Sequence, residues 1–223
     1  MHILDRPFWH ALNSRQSHLA QWNPQGTAVR IDPGYGPFGG AASGAEDALA
    51  GLIGAGEELW LVEPGAVEAP GLVAKLTAPL VQMVAQGAPR AFDPAGIVAL
   101  DERHADQMAA LAGATKPGPW GSKTRAYGQF HGIFDGERLV AMAGERARPG
   151  EGWAEVSGVC TDPAYRGRGM AARLIGQVVA GLSARGDAAY LHSWAGNAAA
   201  IGLYEHLGFR IRREMVASVL SLG

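Results

Sequence analysis

The stretch from Trp153 to Ile175, W-A-E-V-S-G-V-C-T-D-P-A-Y-R-G-R-G-M-A-A-R-L-I, reads in one sweep as a strand, a glycine-rich turn and a helix. Trp153, Val156, Val159 and Cys160 give the first part apolar and β-branched content at strand length. The Asp162-Pro163 pair stops it, because proline has no N–H for a sheet ladder. From Met170 the apolar residues Leu174, Ile175, Val178, Val179 and Leu182 recur at helical spacing, and Gly186 closes the helix. Between the two lies Arg166-Gly167-Arg168-Gly169-Met170-Ala171. Glycines there allow close backbone approach, two arginines add positive charge, and the free N–H groups of a helix start favour an anion, so the turn suits a pyrophosphate. It matches neither G-x-G-x-x-G nor G-x-x-x-x-G-K-[ST], which removes the dinucleotide and P-loop readings.

A second signal follows downstream. Asn197 to Phe209, N-A-A-A-I-G-L-Y-E-H-L-G-F, reads as a short helix with Asn197 as N-cap and Gly208 just past its end. Asn197 and Tyr204 are seven residues apart and share about one helix face. If the strand before the turn pleats regularly, Glu155, Ser157, Val159 and Thr161 lie on one face and Cys160 on the other, as a buried small hydrophobe and not a nucleophile.

Composition bounds the remaining possibilities. The chain has 223 residues, 48% of them hydrophobic, enough for a sizeable core, and a formal net charge of −2. No general basic field draws nucleic acid or a membrane surface, so neither is expected as a partner. One cysteine, Cys160, excludes an internal disulfide and fits a reducing compartment. Neither a signal-peptide pattern at the first residues nor a bilayer-length apolar run is visible, and a cytoplasmic location is expected.

Elsewhere the patterns predict a helix within Asp5 to Trp22, a strand over Thr27 to Ile31, a loop from Asp32 to Gly44, a helical Ala45 to Ile53 and a strand over Glu58 to Val62. Leu80 to Ala85 is apolar, and Pro89 to Pro94 reads as a connector. A strand over Ile97 to Leu100, a helix opening at Asp101, a hairpin of Tyr127 to Phe134 with Glu137 to Arg146 around Asp135-Gly136, a strand over Ala188 to Trp194 and a last one over Arg210 to Leu220 complete the chain. Residues 1–95 thus form a small α/β unit, and 96–223 a second region that carries both motifs.

The R-x-x-G-x-A turn at Arg166 to Ala171, followed by N-x-x-A-x-x-x-Y-x-x-x-G-F at Asn197 to Phe209, resembles the GNAT superfamily of N-acetyltransferases. P-G-P-W at Pro117 to Trp120, the run from His131 to Glu145 and E-V-S-G-V-C-T-D-P at Glu155 to Pro163 resemble a bacterial branch of it whose substrate is unassigned. The resemblance implies an α/β (α+β) fold with a mixed, mostly antiparallel central sheet and flanking helices. The unit 1–95 is then a degenerate half of the same fold, a lid or a sheet extension. It implies acetyl-CoA as donor, held by Val159, Cys160, Thr161, Arg166, Gly167, Arg168, Gly169, Met170, Ala171, Asn197 and Tyr204. Tyr204 is implied as general acid at the sulfur, the main-chain N–H of Val159 as oxyanion donor and Glu155 as general base, with Glu145, His131 and His192 as alternatives. Trp120, Tyr127 and His131 are the expected acceptor pocket. The acceptor is a small-molecule or peptide amine, the assembly a monomer or homodimer, and the alternative function a non-catalytic acyl-CoA-binding or sensing module.

Overall fold

The computed structural model describes residues 2–87 and 90–223. In chain order the elements are α1 (Pro7–Leu12), β1 (Ala20–Trp22), β2 (Ala28–Ile31), β3 (Gly39–Ala41), β4 (Leu59–Glu63), β5 (Leu72–Ala85), β6 (Ile97–Leu100) and α2 (Ala105–Thr115). They continue with β7 (Phe130–Asp135), β8 (Arg138–Glu145), β9 (Trp153–Thr161), α3 (Met170–Ala184), β10 (Ala188–Trp194), α4 (Ala198–His206) and β11 (Phe209–Leu222). Eight strands form one sheet in the order β4-β11-β5-β10-β9-β8-β7-β6, and β1-β2-β3 form a small second sheet. Only β9 and β10 run parallel; every other pair in the large sheet is antiparallel. The architecture is the mixed, mostly antiparallel sheet with flanking helices that the resemblance implied.

β8 is buried from Leu139 to Glu145 because both its faces are covered. On one face Val140, Ala141 and Ala143 pack with Leu174, Ile175, Val178 and Leu182 of α3. On the other, Met142 packs with Met108, Leu111 and Ala112 of α2 and with Phe130. A strand covered on both sides reads as a continuous apolar run, as L-V-A-M-A does here.

Several sequence expectations change. The helix expected within Asp5 to Trp22 ends at Leu12, where the Asn13 side chain donates to the Trp9 carbonyl and Ser14 Oγ to that of His10. Such short polar side chains compete with the helical ladder. Ala20–Trp22 is instead a strand, Ala45 to Ile53 contains a 3₁₀ helix over Glu46–Leu52, and the expected loop 32–44 contains β3. Tyr127 lies before β7, after a 3₁₀ turn over Thr124–Ala126. The connector's first residue, Pro89, lies outside the described residues, while Phe92 packs onto α3 at Gly176. Among the described residues no helix is long and apolar enough to cross a membrane.

The larger difference concerns β5. Its apolar half, Leu80 to Ala85, extends into a 14-residue strand that pairs with β11 along its length and with β10 from Leu80 to Val84. Residues 72–85 therefore sit inside the large sheet and not along its edge, and β4 continues the sheet beyond β11. A fragment beginning at Pro94 would leave β10 and β11 without the strand between them and uncover Met83's neighbours in the core. It is expected to be insoluble or to lose cooperative unfolding, which circular dichroism and gel filtration check; a soluble fragment with a sharp melt would show the sheet closing without β5.

Candidate active site

The site begins with a parting of strands. β9 and β10 pair only through Trp153, Ala154 and Glu155 with Ala188, Ala189 and Tyr190. Beyond that point the main-chain groups of β9 that face β10 have no partner strand. The cause lies in β9 itself, where two residues, Gly158 and Val159, oppose one residue of β8. Gly158 has φ +62°, the left-handed geometry of a bulge that begins with glycine. The bulge also reverses the expected pleat. Val159 joins Val156 in the cluster under α3, whereas Cys160 joins the α2 cluster, on the face opposite α3 that Glu155 also takes. Burial pushes the Cys160 thiol up to about 11, so it stays protonated near neutral pH.

The parting opens into a cleft of about 610 Å³. One end is the turn before α3. Gly167 and Gly169 both have positive φ, at +76° and +73°, and the N–H groups from Gly167 to Ala172 find no main-chain acceptor. Arg166, Gly167 and Ala171 line the cleft, while Arg168, Gly169 and Met170 shape the turn behind them. Arg168 stacks its guanidinium over Tyr165, 4.9 Å from the ring centroid.

α4 forms one wall. Asn197 caps it, its Oδ1 accepting from Ala200 N–H at 3.2 Å, and both Asn197 and Tyr204 line the cleft. Tyr204 is mostly buried and sits edge-on to Phe209 with ring centroids 6.1 Å apart. Burial raises its phenol pKa, which keeps it a proton donor at neutral pH.

On the opposite wall four adjacent strands carry a row of polar side chains. Arg212 of β11 donates to Gln82 Oε1 at 2.7 Å. The Gln82 amide nitrogen then faces the Leu4 carbonyl at 2.7 Å and His192 Nε2 at 2.9 Å. Because that nitrogen only donates, His192 Nε2 is an acceptor and its Nδ1–H donates to Glu155 Oε1 at 2.9 Å. The row thus sets the imidazole tautomer. Burial pushes the Glu155 carboxyl up, but the hydrogen bond from His192, with the charge of Arg146 and the Ala147 N–H, brings its pKa below the ordinary value. Its ionised form therefore stabilises the fold above the ordinary carboxylate range, and that contribution fades as pH falls through the lowered value.

The cleft therefore gathers Glu155, Val159, Cys160, Thr161, Arg166, Gly167, Ala171, Asn197 and Tyr204, with His192 beside Glu155. Arg168, Gly169 and Met170 of the turn lie outside its lining, and so do the three residues expected for the acceptor pocket. Trp120 lines an adjoining groove with Trp60 and Trp194, Tyr127 is buried in the cluster around Phe8 and Phe38, and His131 lies on β7 with Nδ1 unpartnered. The cleft walls that sequence reasoning missed are Phe8, Phe38, Trp60, Val62, Leu80 and Arg146. No local motif marks them, since most come from the first 95 residues and reach the site through α1, the residue before β3, β4 and β5.

Comparison with known proteins follows the same outline. The family model described as FR47-like protein matches residues 130–217. A GNAT-family protein from Novosphingobium aromaticivorans shares 55% identity over 100% of both chains, with a TM-score of 0.97. The fold is shared with a GCN5-related N-acetyltransferase from Kribbella flavida, at 20% identity over 86% of this chain and 84% of that one, TM-score 0.58. It is also shared with a GCN5-related N-acetyltransferase-like protein from Streptococcus suis, at 15% identity over 95% and 92%, TM-score 0.55. Comparison with functionally curated proteins finds no match. With its two motifs on one cleft and more than half its residues shared along a full-length GNAT relative, the chain belongs to the GNAT family of acetyltransferases.

Proposed function

We propose that the protein transfers an acetyl group from acetyl-CoA to a primary amine by direct attack in a ternary complex. The observation that carries this reading is the meeting, in one cleft, of an unpartnered run of N–H groups at the start of α3, parted strands, the Tyr204 phenol and the Glu155 carboxylate. The coenzyme pyrophosphate sits on the N–H groups of Gly167 to Ala171, with Arg166 and Arg168 adding charge. The Val159 N–H faces the acetyl carbonyl and stabilises the oxyanion as the amine adds to the carbonyl carbon. The nitrogen of that adduct loses its proton to Glu155, which His192 holds in place. Collapse breaks the carbon–sulfur bond, and Tyr204 protonates the departing thiolate. The products are the N-acetylamine and coenzyme A. In this reading the unit 1–95 supplies the acceptor wall, and the protein acts away from membranes and nucleic acid in the cytoplasm, as a monomer or homodimer.

Incubation with acetyl-CoA and a panel of amines, with free thiol as readout, tests the reading. Coenzyme binding without thiol release would leave the alternative, a non-catalytic acyl-CoA-binding module.

Gly169→Val forces a β-branched residue into the left-handed region at an exposed turn, at about 1–2 kcal/mol, so coenzyme A affinity should fall about tenfold or more while the fold persists. Arg168→Ala should weaken binding less. Titration calorimetry checks both, and an unchanged affinity for Gly169→Val would remove the turn from the site.

Tyr204→Phe should lower kcat by the ~10²–10⁴-fold typical of a lost general acid, with coenzyme affinity little changed. Glu155→Gln should be slowest relative to the natural protein at low pH, where few acceptor molecules are unprotonated, and should recover part of the rate as pH rises. A pH–rate profile parallel to that of the natural protein would exclude Glu155 as the base, and a normal kcat in Tyr204→Phe would leave Tyr204 as packing.

A further inference from the structure

Arg146, the residue after β8, is 8% exposed and lines the cleft. Its Nε has no hydrogen-bond partner, and Nη2 reaches only the Pro119 carbonyl, at 3.5 Å, the outer limit of a hydrogen bond. Arg6, Arg30, Arg148, Arg185 and Arg212 each meet a carboxylate; among the described residues Arg146 meets none. Glu155, whose charge acts on it, is already engaged by His192 and the Ala147 N–H. The guanidinium lies instead over the Phe38 ring, 5.0 Å from its centroid, beside Gly118. A guanidinium out of water is costly unless it is met by an anion of matching geometry, and its fork fits a carboxylate.

The surroundings narrow the choice of anion. The coenzyme pyrophosphate belongs at the other end of the cleft, on the turn at Gly167. Around Arg146 the walls are Phe8, Phe38, Trp60, Val62 and Leu80, which suit an apolar body. The Glu155 carboxylate on the same cleft favours an amine. From this arrangement we infer that the acceptor is a free amino acid with an apolar side chain, its carboxylate on Arg146 and its amine toward Glu155. This rests on the acetyl-transfer reading and narrows its substrate. A peptide N-terminus has an amide where this site asks for a carboxylate and fits it poorly.

The natural protein tests this directly with phenylalanine and leucine against their amides and against phenethylamine, which keep the amine and the apolar body but lack the carboxylate. With saturating acetyl-CoA, kcat/KM for the amino acids should exceed that of the amides and of phenethylamine by about 10²-fold, mainly through KM. Arg146→Met should collapse that ratio and Arg146→Lys should keep part of it. Comparable turnover of amides and amino acids would overturn the inference and leave acetyl transfer standing. So would an Arg146→Met that weakens coenzyme A binding and keeps the ratio. Calorimetry on the natural protein with coenzyme A decides the point without turnover. Phenylalanine binding at least about tenfold tighter than phenylalaninamide supports the carboxylate site, and equal affinities overturn it. Failure to acetylate any amine strikes the transfer reading alone.

Discussion

The site depends on two parallel strands that cease to pair. Had β9 and β10 stayed together past Glu155 and Tyr190, their main-chain groups would have satisfied each other and the sheet would have closed. The Gly158 bulge prevents this, and it requires glycine twice over. Its φ is +62°, and a Cβ there would come within 2.8 Å of the Phe130 ring. Main-chain polar groups freed in the middle of a sheet have to be met by water or by a ligand, since leaving them bare and buried is costly. A strand-like ligand with its own donors and acceptors suits such an opening, and the N–H groups before α3 lie at its end.

The opposite wall shows why the first 95 residues are more than cover. A carboxylate as buried as that of Glu155 would take up a proton if nothing compensated for its lost hydration. The compensation comes along the row Arg212, Gln82, His192 and Glu155, one residue from each of β11, β5, β10 and β9. Gln82 is the pivot. Arg212 fixes which end of its amide is the acceptor, and that choice fixes which imidazole nitrogen carries the proton. Because Gln82 is fully buried on β5, a residue from the first 95 orients the imidazole that holds Glu155.

What could be read from the sequence is what local chemistry determines. The strand, turn and helix from Trp153 to Ala184 and the capped helix at Asn197 are specified within their own residues, and the Asp135-Gly136 hairpin by its turn. β3, Gly39–Ala41, has no strand propensity and exists because β2 and its surroundings cover it. Leu72 to Thr77 escaped notice because that half of β5 is mostly exposed, so no apolar alternation marks it, and a bulge at Lys75 breaks its register with β11. The face of Cys160 was misjudged because a regular pleat was assumed across a glycine that interrupts it. Arg146 carries no signal at all, since its lack of a partner is a property of the fold and not of its neighbours in sequence.

The cleft then differs from the rest of the molecule in how its charges are settled. Elsewhere buried or half-buried arginines face carboxylates, as Arg148 and Arg185 both face Glu145. In the cleft Arg146 lies over Phe38 beside the Pro117–Pro119 loop and meets no carboxylate, while Glu155, held by His192, lines the same cleft without touching Arg146. Apolar side chains from α1, β4 and β5 line the same cleft and weaken screening there, so a molecule that brings opposite charges to both is held more tightly than at the open surface. Such a compartment discriminates by what it leaves unpaired. An amine lacking the complementary anion would leave Arg146 buried and bare, and that cost, more than any difference in attraction, is what would reject it.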